Sequence, residues 1–175
     1  MATTPAKIQV FTYKDGLLAR LAHDLRLSLG RFEVVREGDE IRARFWPGSL
    51  AVDGVVGRDG AVDTTALSDS DRKKITGNIA EHVLALARYP EATFTGKIVE
   101  GERAVDGTLT LVGRTVPLRV EVRAANGRLT AEVPLVPSRW GITPYRALAG
   151  AIKLQDRVLV KIDLPADGDG RWSAG

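Results

Sequence analysis

Hydrophobic and polar residues alternate along most of the chain, which is the pattern of β-strands that bury one face. In the stretch DLRLSLG, Leu25, Leu27 and Leu29 stand at every second position, with polar residues between them. The stretches that share this alternation are KIQVFTY, DLRLSLGRFEVV, EIRARFW, ATFTGKIV, AVDGTLTLVG, VPLRVEVRA, RLTAEVPLV and RVLVKIDL. They predict a mainly-β fold, a single antiparallel barrel of about eight strands.

The residues between these stretches favour antiparallel neighbours. Asn126 and Gly127 both tolerate a positive φ angle, so they predict a tight hairpin turn. Pro117 and Pro134 lack an amide hydrogen and therefore predict strand ends, edges or bulges. The Gly- and Asp-rich residues 166–175 predict a disordered C-terminal segment, which leaves residues 1–165 as one domain.

One stretch, SDSDRKKITGNIAEHVLALARYP, has helical periodicity. It predicts one inserted α-helix at about residues 69–88, with Ser68 or Ser70 as its N-cap. The apolar stripe of this helix consists of Ile75, Ile79, His82, Val83 and Leu86. A smaller apolar patch on nearly the opposite side consists of Ala80, Leu84 and Ala87. Because a surface helix has no use for a second apolar patch, this one favours contact with another copy of the chain, as in a homodimer.

The composition is that of an ordinary globular protein. The chain has 175 residues, of which 44% are hydrophobic and 27% charged, and this length suffices to bury a core. Its 25 Lys and Arg residues are interleaved with 22 Asp and Glu residues, so we expect no nucleic-acid partner, which would require a concentrated basic surface. The N-terminus lacks a signal pattern, and no apolar run approaches the roughly 20 residues of a membrane helix. We therefore expect a cytoplasmic protein without an integral membrane segment.

Few residues favour catalysis or metal binding. The chain has no cysteine and two histidines, whereas a zinc site requires three or four protein ligands, so we predict no metal site. Neither a G-x-S-x-G nucleophile motif nor a glycine-rich phosphate-binding motif is present. We therefore predict no catalytic residue and a protein that is not an enzyme.

The inward face of the predicted barrel favours a lumen. A barrel of about eight strands is either filled by its own side chains or holds one small ligand. Here the inward face is rich in Val, Leu, Ile and Ala, and aromatic residues are only 6% of the chain. The small residues among the inward positions are Ala43, Gly96, Gly107 and Ala131. A filled core, in a structural or interaction module, is the alternative.

Several segments, in order along the chain, resemble the YceI-like family of polyisoprenoid-binding, lipocalin-like barrels. Two of them lie between Ser68 and Val120. YPEATFTG is similar to that family's tyrosine-proline and the strand with a small residue that follows it, and VDGTLTLVGRTVPLRV is similar to its next pair of strands. PSRWGITPYRALAG and LQDRVLVKIDL resemble its later segments, and His23 with LGRFEV stands where the family has a histidine before a strand. The chain departs from the family at Trp140-Gly141, where a phenylalanine-glycine pair is usual.

The resemblance implies an eight-stranded lipocalin-like barrel with the helix packed beside it. It also implies that the lumen binds a long isoprenoid, an isoprenoid quinone or another amphiphile, and that no cofactor is required beyond this ligand. Several members of the family are dimers, which agrees with a homodimer here. Many relatives are exported, and this chain differs from them because no signal pattern is present.

We predict two groups of ligand-binding residues, which depend on strand register because a shift of one residue reverses the face. The lumen candidates are Phe11, Leu27, Phe32, Phe45, Phe94, Leu109, Leu111, Val120 and Trp140. The rim candidates, which would hold a polar head group, are His23, Arg139 and Tyr145. Two of these residues have an alternative role. His23 is also suited to a structural hydrogen bond with a nearby carbonyl or carboxylate, and Trp140 is also suited to plugging one end of the barrel. An enzyme that acts on a hydrophobic substrate in the same barrel is a further alternative.

Overall fold

The computed structural model describes residues 5–15, 23–147 and 152–175. Strands make up most of this part of the chain. They are β1 (Lys7–Lys14), β2 (Leu25–Leu29), β3 (Phe32–Glu37), β4 (Glu40–Phe45), β5 (Leu50–Val56), β6 (Val62–Asp63), β7 (Ala92–Val99), β8 (Ala104–Leu111), β9 (Arg114–Glu121), β10 (Arg123–Ala125), β11 (Arg128–Leu135), β12 (Arg146–Ala147), β13 (Ile152–Pro165) and β14 (Arg171–Ser173). The mainly-β prediction is confirmed.

Two antiparallel sheets face each other and curl into a half-barrel. The first has the strand order β10-β11-β13-β1-β2-β5-β6, with β12 also paired to β13. The second has the order β14-β3-β4-β7-β8-β9. The chain passes from β2 in the first sheet to β3 in the second through Gly30 and Arg31, and it returns from β9 to β10 through Val122. This arrangement confirms the lipocalin-like fold that the resemblance implies.

Pro117 and Pro134 lie where they cost no ladder hydrogen bond. Pro117 is in β9, which is the edge of its sheet. Pro134 pairs with Leu159 of β13, and the short β10 on its other side reaches only to Thr130. Both positions are edges, as predicted, because a residue without an amide hydrogen is tolerated there.

The predicted hairpin turn at Asn126 and Gly127 is also confirmed. Their φ angles are +53° and +72°, and the two residues join β10 to β11. Val112 and Gly113 adopt the same kind of turn between β8 and β9, with φ angles of +50° and +71°. A β-branched residue is disfavoured at positive φ, so the sequence does not indicate a turn at Val112.

The helical segment is shorter than predicted. The α-helix α1 (Asp69–Asn78) begins with Ser68 as its N-cap, whose hydroxyl accepts a hydrogen bond from the amide of Asp71 at 3.1 Å. A π-helical turn, Ile79–Val83, follows, and the amide of Leu84 donates to the carbonyl of Ile79 at 2.8 Å. The prediction of a regular helix to about residue 88 is therefore corrected, because bonds from residue i+5 to residue i end the α-helical ladder here.

Arg72 fixes the helix to the edge of the first sheet. Its guanidinium donates to the backbone carbonyls of Val52 and Asp53 at 2.7 and 3.1 Å, and also to the carbonyl of Thr64. These acceptors belong to β5 and to the segment after β6, so one side chain links three parts of the backbone. The helix lies beside the barrel in consequence, as the resemblance implies.

The prediction that residues 166–175 are disordered is corrected. Strand β14 pairs with β3, and Ala174 forms a bridge with Ala6. Trp172 is 9% exposed and donates from its indole nitrogen to the carbonyl of Pro165 at 2.8 Å. The glycines and aspartates around it form the turn that returns the chain, so their abundance signals a turn and not disorder.

Candidate functional site

A cavity of about 1060 Å³ lies between the two sheets. The inward residues of each strand border it at every second position, for example Ile8, Val10 and Thr12 on β1. Apolar residues of β2, β4, β8, β11 and β13 continue the lining in the same alternation. The described side chains therefore leave a space between the two sheets, as the predicted lumen requires and a filled core does not.

Most of the predicted site residues border this cavity. They are His23, Leu27, Phe45, Phe94, Leu109, Leu111, Val120, Trp140 and Tyr145. Leu27 and Trp140 are almost completely buried, at 1% and 2% exposure. The alternation that predicts strands also predicts their inward faces, because side chains on a strand point to opposite sides in turn.

Phe11 and Phe32 do not border the cavity, which corrects their place in the predicted lumen. Phe11 lies on the outer face of β1, where the ammonium of Lys161 is 4.9 Å from its ring. Both faces of β1 carry apolar residues, so the alternation alone does not identify the inward one. Phe32 is 2% exposed and packs in a cluster with Leu164 and Trp172, which border the cavity although Phe32 does not.

Arg139 is also outside the cavity. It belongs to a 3₁₀ turn, Pro137–Trp140, and its side chain is exposed. Its guanidinium donates to the carbonyl of Pro117 at 3.5 Å and lies 5.7 Å from the ring of Trp140. The prediction of a rim residue is corrected, because the left-handed Gly141 ends the turn and Arg139 stays on the outer side of the buried Trp140.

Trp140 is fixed to the second sheet by a hydrogen bond. Its indole nitrogen donates to the carbonyl of Leu109 at 2.9 Å. The ring packs in a cluster with Phe94, Leu109 and Ile142, and it borders the cavity at the same time. Trp140 therefore forms part of one wall of the lumen, and a buried N–H group has the partner that it needs.

Two of the small residues predicted for the lumen have another role. A Cβ atom on Gly107 would lie 2.6 Å from Cζ of Phe94, and one on Gly96 would lie 3.0 Å from the same atom. The Phe94 ring thus covers both glycines of the β7–β8 pair. Ala43 and Ala131 do border the cavity, so small inward residues widen the lumen only at these two of the four positions.

The helical segment forms one side of the cavity, through Ile75, Asn78, Ile79, Val83 and Leu84. In a regular α-helix Leu84 would stand about 140° from Ile79. The π-helical turn brings these two residues to the same side. Leu84 is therefore part of the lumen, and the apolar surface patch that favours a homodimer is not present as predicted.

His82 is not part of the packed stripe of this segment. Its side chain is 64% exposed, and its Nε2 lies 3.9 Å from Oε2 of Glu81. This corrects the interpretation of His82 as a packing residue. Within the described ranges, no group of three or more His, Cys, Asp or Glu residues is placed to hold a metal ion.

Polar side chains border the cavity at its two ends and differ in charge between them. Thr12, His23, Asn78 and Tyr145 gather where β1 ends and β13 begins. The charged residues of the lining are Arg36, Glu102, Arg103, Glu121 and Arg123, at the other end. Arg36 and Glu102 form an ion pair of 2.5 Å. The sequence does not predict Thr12 and Asn78 as site residues, because alternation alone does not distinguish an inward polar residue from one on the outer surface.

The groups with clearly shifted pKa values lie on the outer surface. A hydrogen bond from Arg44 lowers the pKa of Glu91, and the same pair raises the pKa of Arg44. The hydroxyl of Thr65 lowers the pKa of Asp63, and the carboxylate of Glu100 raises the pKa of Arg119. These surface contacts order loops and strand faces and do not touch the cavity.

The model of the YceI-like domain matches residues 32–166. The chain belongs to the YceI-like family. This confirms the resemblance, and the match begins after His23, so that residue lies outside it. No curated protein matches the chain.

Several solved structures share this fold. BcnA of Burkholderia cenocepacia is 16% identical, with a TM-score of 0.56 over 90% of this chain and 94% of its own. A polyisoprenoid-binding domain from Saccharophagus degradans is 12% identical, with a TM-score of 0.55 over 97% and 94% of the two chains. A YceI protein of Campylobacter jejuni is 13% identical, with a TM-score of 0.50 over 97% and 88%.

No helix in the part of the chain that the structure describes has the length and apolar character to cross a membrane.

Proposed function

We propose that this YceI-like protein binds and sequesters a long-chain hydrophobic ligand in its lumen, as a non-catalytic carrier or store. The ligand class is a polyisoprenoid, an isoprenoid quinone or a fatty amphiphile. The observation that carries the proposal is the cavity of about 1060 Å³ with a predominantly apolar lining. Its volume is at the upper end of the range of about 300–1000 Å³ that small-molecule sites have.

The shape of the lining suits a chain. On β13 the bordering residues run from Ile152 to Leu164, which spans roughly 40 Å at about 3.3 Å per residue. Each methylene group transferred from water to such a surface contributes about 0.8 kcal/mol. A long hydrocarbon therefore gains enough to offset the ordering of the chain on binding, and the name of the Saccharophagus degradans relative supports the isoprenoid class.

The proposal predicts thermal stabilisation by chain-like ligands. At a ligand concentration of about 100 times Kd, binding stabilises the folded state by about 2.7 kcal/mol, which raises Tm by roughly 5–10 °C in a chain of this size. The measurement is Tm across a panel of isoprenoid quinones, polyisoprenols and fatty acids.

A variant with a filled lumen sharpens this test. Ala131→Phe places a ring in the cavity, and Ala43→Phe does so from the facing sheet. Glu132→Phe is the matched control, because Glu132 is the next residue of β11 and is exposed. The shift should disappear in the two lumen variants and persist in the control. A panel without any shift in the unaltered protein would contradict the proposal.

A further inference from the structure

The end of the cavity near Tyr145 has hydrogen-bonding capacity that the described residues leave unused. The side-chain amide of Asn78 donates to the Tyr145 hydroxyl oxygen at 3.0 Å. The tyrosine oxygen is therefore the acceptor in this contact, and its own hydrogen is available to another acceptor. In the part of the chain that the structure describes, no side chain or carbonyl accepts that hydrogen.

The position of Tyr145 is held from two directions. Its carbonyl accepts the amide of Leu154 in β13 at 3.1 Å, and its hydroxyl is held by Asn78, the last residue of α1. Both Tyr145 and Asn78 border the cavity. The hydroxyl is thus a positioned donor at one end of an apolar chamber.

A second polar group at this end has no hydrogen-bond partner among the residues that the structure describes. The hydroxyl of Thr12 is buried from solvent without a hydrogen bond to any described residue, and the Thr12 side chain borders the cavity. Buried hydroxyl groups usually have partners, because leaving one unpaired is unfavourable. Thr12 is therefore a second hydroxyl beside the lumen whose hydrogen-bonding capacity the described residues do not use.

The charged residues of the lining are remote from this end. Arg123 of β10 lies opposite Thr130 of β11, and Thr130 lies opposite Asp163 of β13. At the other level, the carbonyl of Tyr145 accepts a hydrogen bond from the amide of Leu154 in β13. Nine residues of β13 separate these two levels, roughly 30 Å. Among the described lining residues near Tyr145 there is no Lys or Arg, and His23 is the titratable group there. Lys14, Arg146 and Lys153 lie at this level of the barrel but not among the described lining residues. A phosphate or carboxylate inside the lumen would therefore lose its hydration without a permanent opposite charge in the described lining, which is unfavourable.

From these contacts we infer that the Tyr145 end of the lumen recognises an uncharged, hydrogen-bond-accepting head group, a carbonyl oxygen above all. Tyr145 donates to this oxygen, and Asn78 is a positioning residue that keeps the tyrosine hydrogen directed away from itself. The inference rests on the proposed function, since it assigns the head group of the same chain-like ligand.

The test uses one isoprenoid chain in four forms, with a methyl ketone, a carboxylate, a phosphate or no head group. Tyr145→Phe should weaken binding of the ketone about threefold to tenfold, as expected for one hydrogen bond, and leave the headless chain unchanged. Tyr13→Phe is the matched control, because Tyr13 faces Arg157 on the outer side of β1. The ketone should bind at least as tightly as either charged form.

The role of Asn78 has its own signature. In Asn78→Asp the carboxylate only accepts hydrogen bonds, so it takes the tyrosine hydrogen and should weaken ketone binding as much as Tyr145→Phe. The double variant should bind the ketone no more weakly than either single variant, because both substitutions remove the same hydrogen bond from the Tyr145 hydroxyl to the ketone. A structural role for Asn78 would instead change binding of the headless chain.

The outcomes separate the two proposals. If none of the four chains binds, the proposed function fails. If the chains bind but Tyr145→Phe does not change the affinity for the ketone, or if the phosphate form binds most tightly through Tyr145, the head-group inference alone is overturned.

Discussion

Single residues decide how close the strands and side chains of this barrel lie. Gly107 is the clearest example, because a Cβ atom there would lie 2.2 Å from the carbonyl oxygen of Thr95 and 2.6 Å from the Phe94 ring. At this position the Phe94 ring packs directly on the backbone of Gly107, and the ring forms the lumen wall. A side chain at residue 107 would push the ring or the strand away.

Gly107→Ala should therefore lower the free energy of unfolding by about 2 kcal/mol, which is the usual cost of overpacking. Gly77→Ala is the control with the opposite sign. Gly77 is exposed on α1 with open space around it, so alanine should add up to about 1 kcal/mol through its higher helix propensity. Urea denaturation of both variants measures the difference, and equal stabilities would contradict the packing described for Phe94.

At the scale of elements, the C-terminal strand is part of the core. Trp172→Ala removes a ring that packs with Ile8, Phe32 and Leu164, so we expect a loss of about 3–5 kcal/mol. Asp167→Ala, at an exposed position of the same segment, should change stability little. The measurement is the urea midpoint, and an unchanged midpoint for Trp172→Ala would restore the prediction of a disordered segment.

The outer face of β4 predicts a dependence on pH. Arg44 donates to Glu91 at 2.6 Å and lowers the pKa of this carboxyl from its ordinary value of 4.5. A carboxyl whose pKa is lower in the folded state stabilises the fold above its unfolded pKa, and the contribution is lost as the pH falls through the folded value.

Glu91→Gln should therefore lower Tm more at pH 7 than at about pH 3. Glu40→Gln is the control, since Glu40 has no ion pair within the described ranges. Thermal unfolding at the two pH values measures the effect. A difference that is larger at pH 3 than at pH 7 would contradict the assigned cause of the shift.

Most elements could be predicted from alternation, and the exceptions have physical causes. Strand β1 carries apolar residues on both faces, so Phe11 was placed on the wrong side. The π-helical turn depends on packing against the barrel, so nothing in the helical periodicity indicates that Leu84 turns inward. In the Gly- and Asp-rich C-terminal segment, the burial of Trp172 with Ile8, Phe32 and Leu164 and the pairing of β14 with β3 oppose the disorder that the composition favours.

At the scale of the whole molecule, two curled sheets and one helical segment enclose a chamber with different ends. The apolar middle follows from alternation in many strands, and it was predictable because errors at single positions average out. The polar residues at the ends of the chamber could not be predicted together, because they are distant in sequence and meet only in the fold, as Asn78 and Tyr145 do. The family shows the fold, and the lining residues of this chain determine which ligand fits.

The most direct test of the central claim is organic extraction of the purified protein, with native mass measured on the same sample. We predict a bound isoprenoid, quinone or fatty amphiphile at one molecule per chain in the unaltered protein and in Glu132→Phe. In Ala131→Phe this ligand should be strongly reduced, because the ring occupies the lumen. A lipid recovered in equal amount from Ala131→Phe, or no lipid from any of the three proteins, would contradict the account.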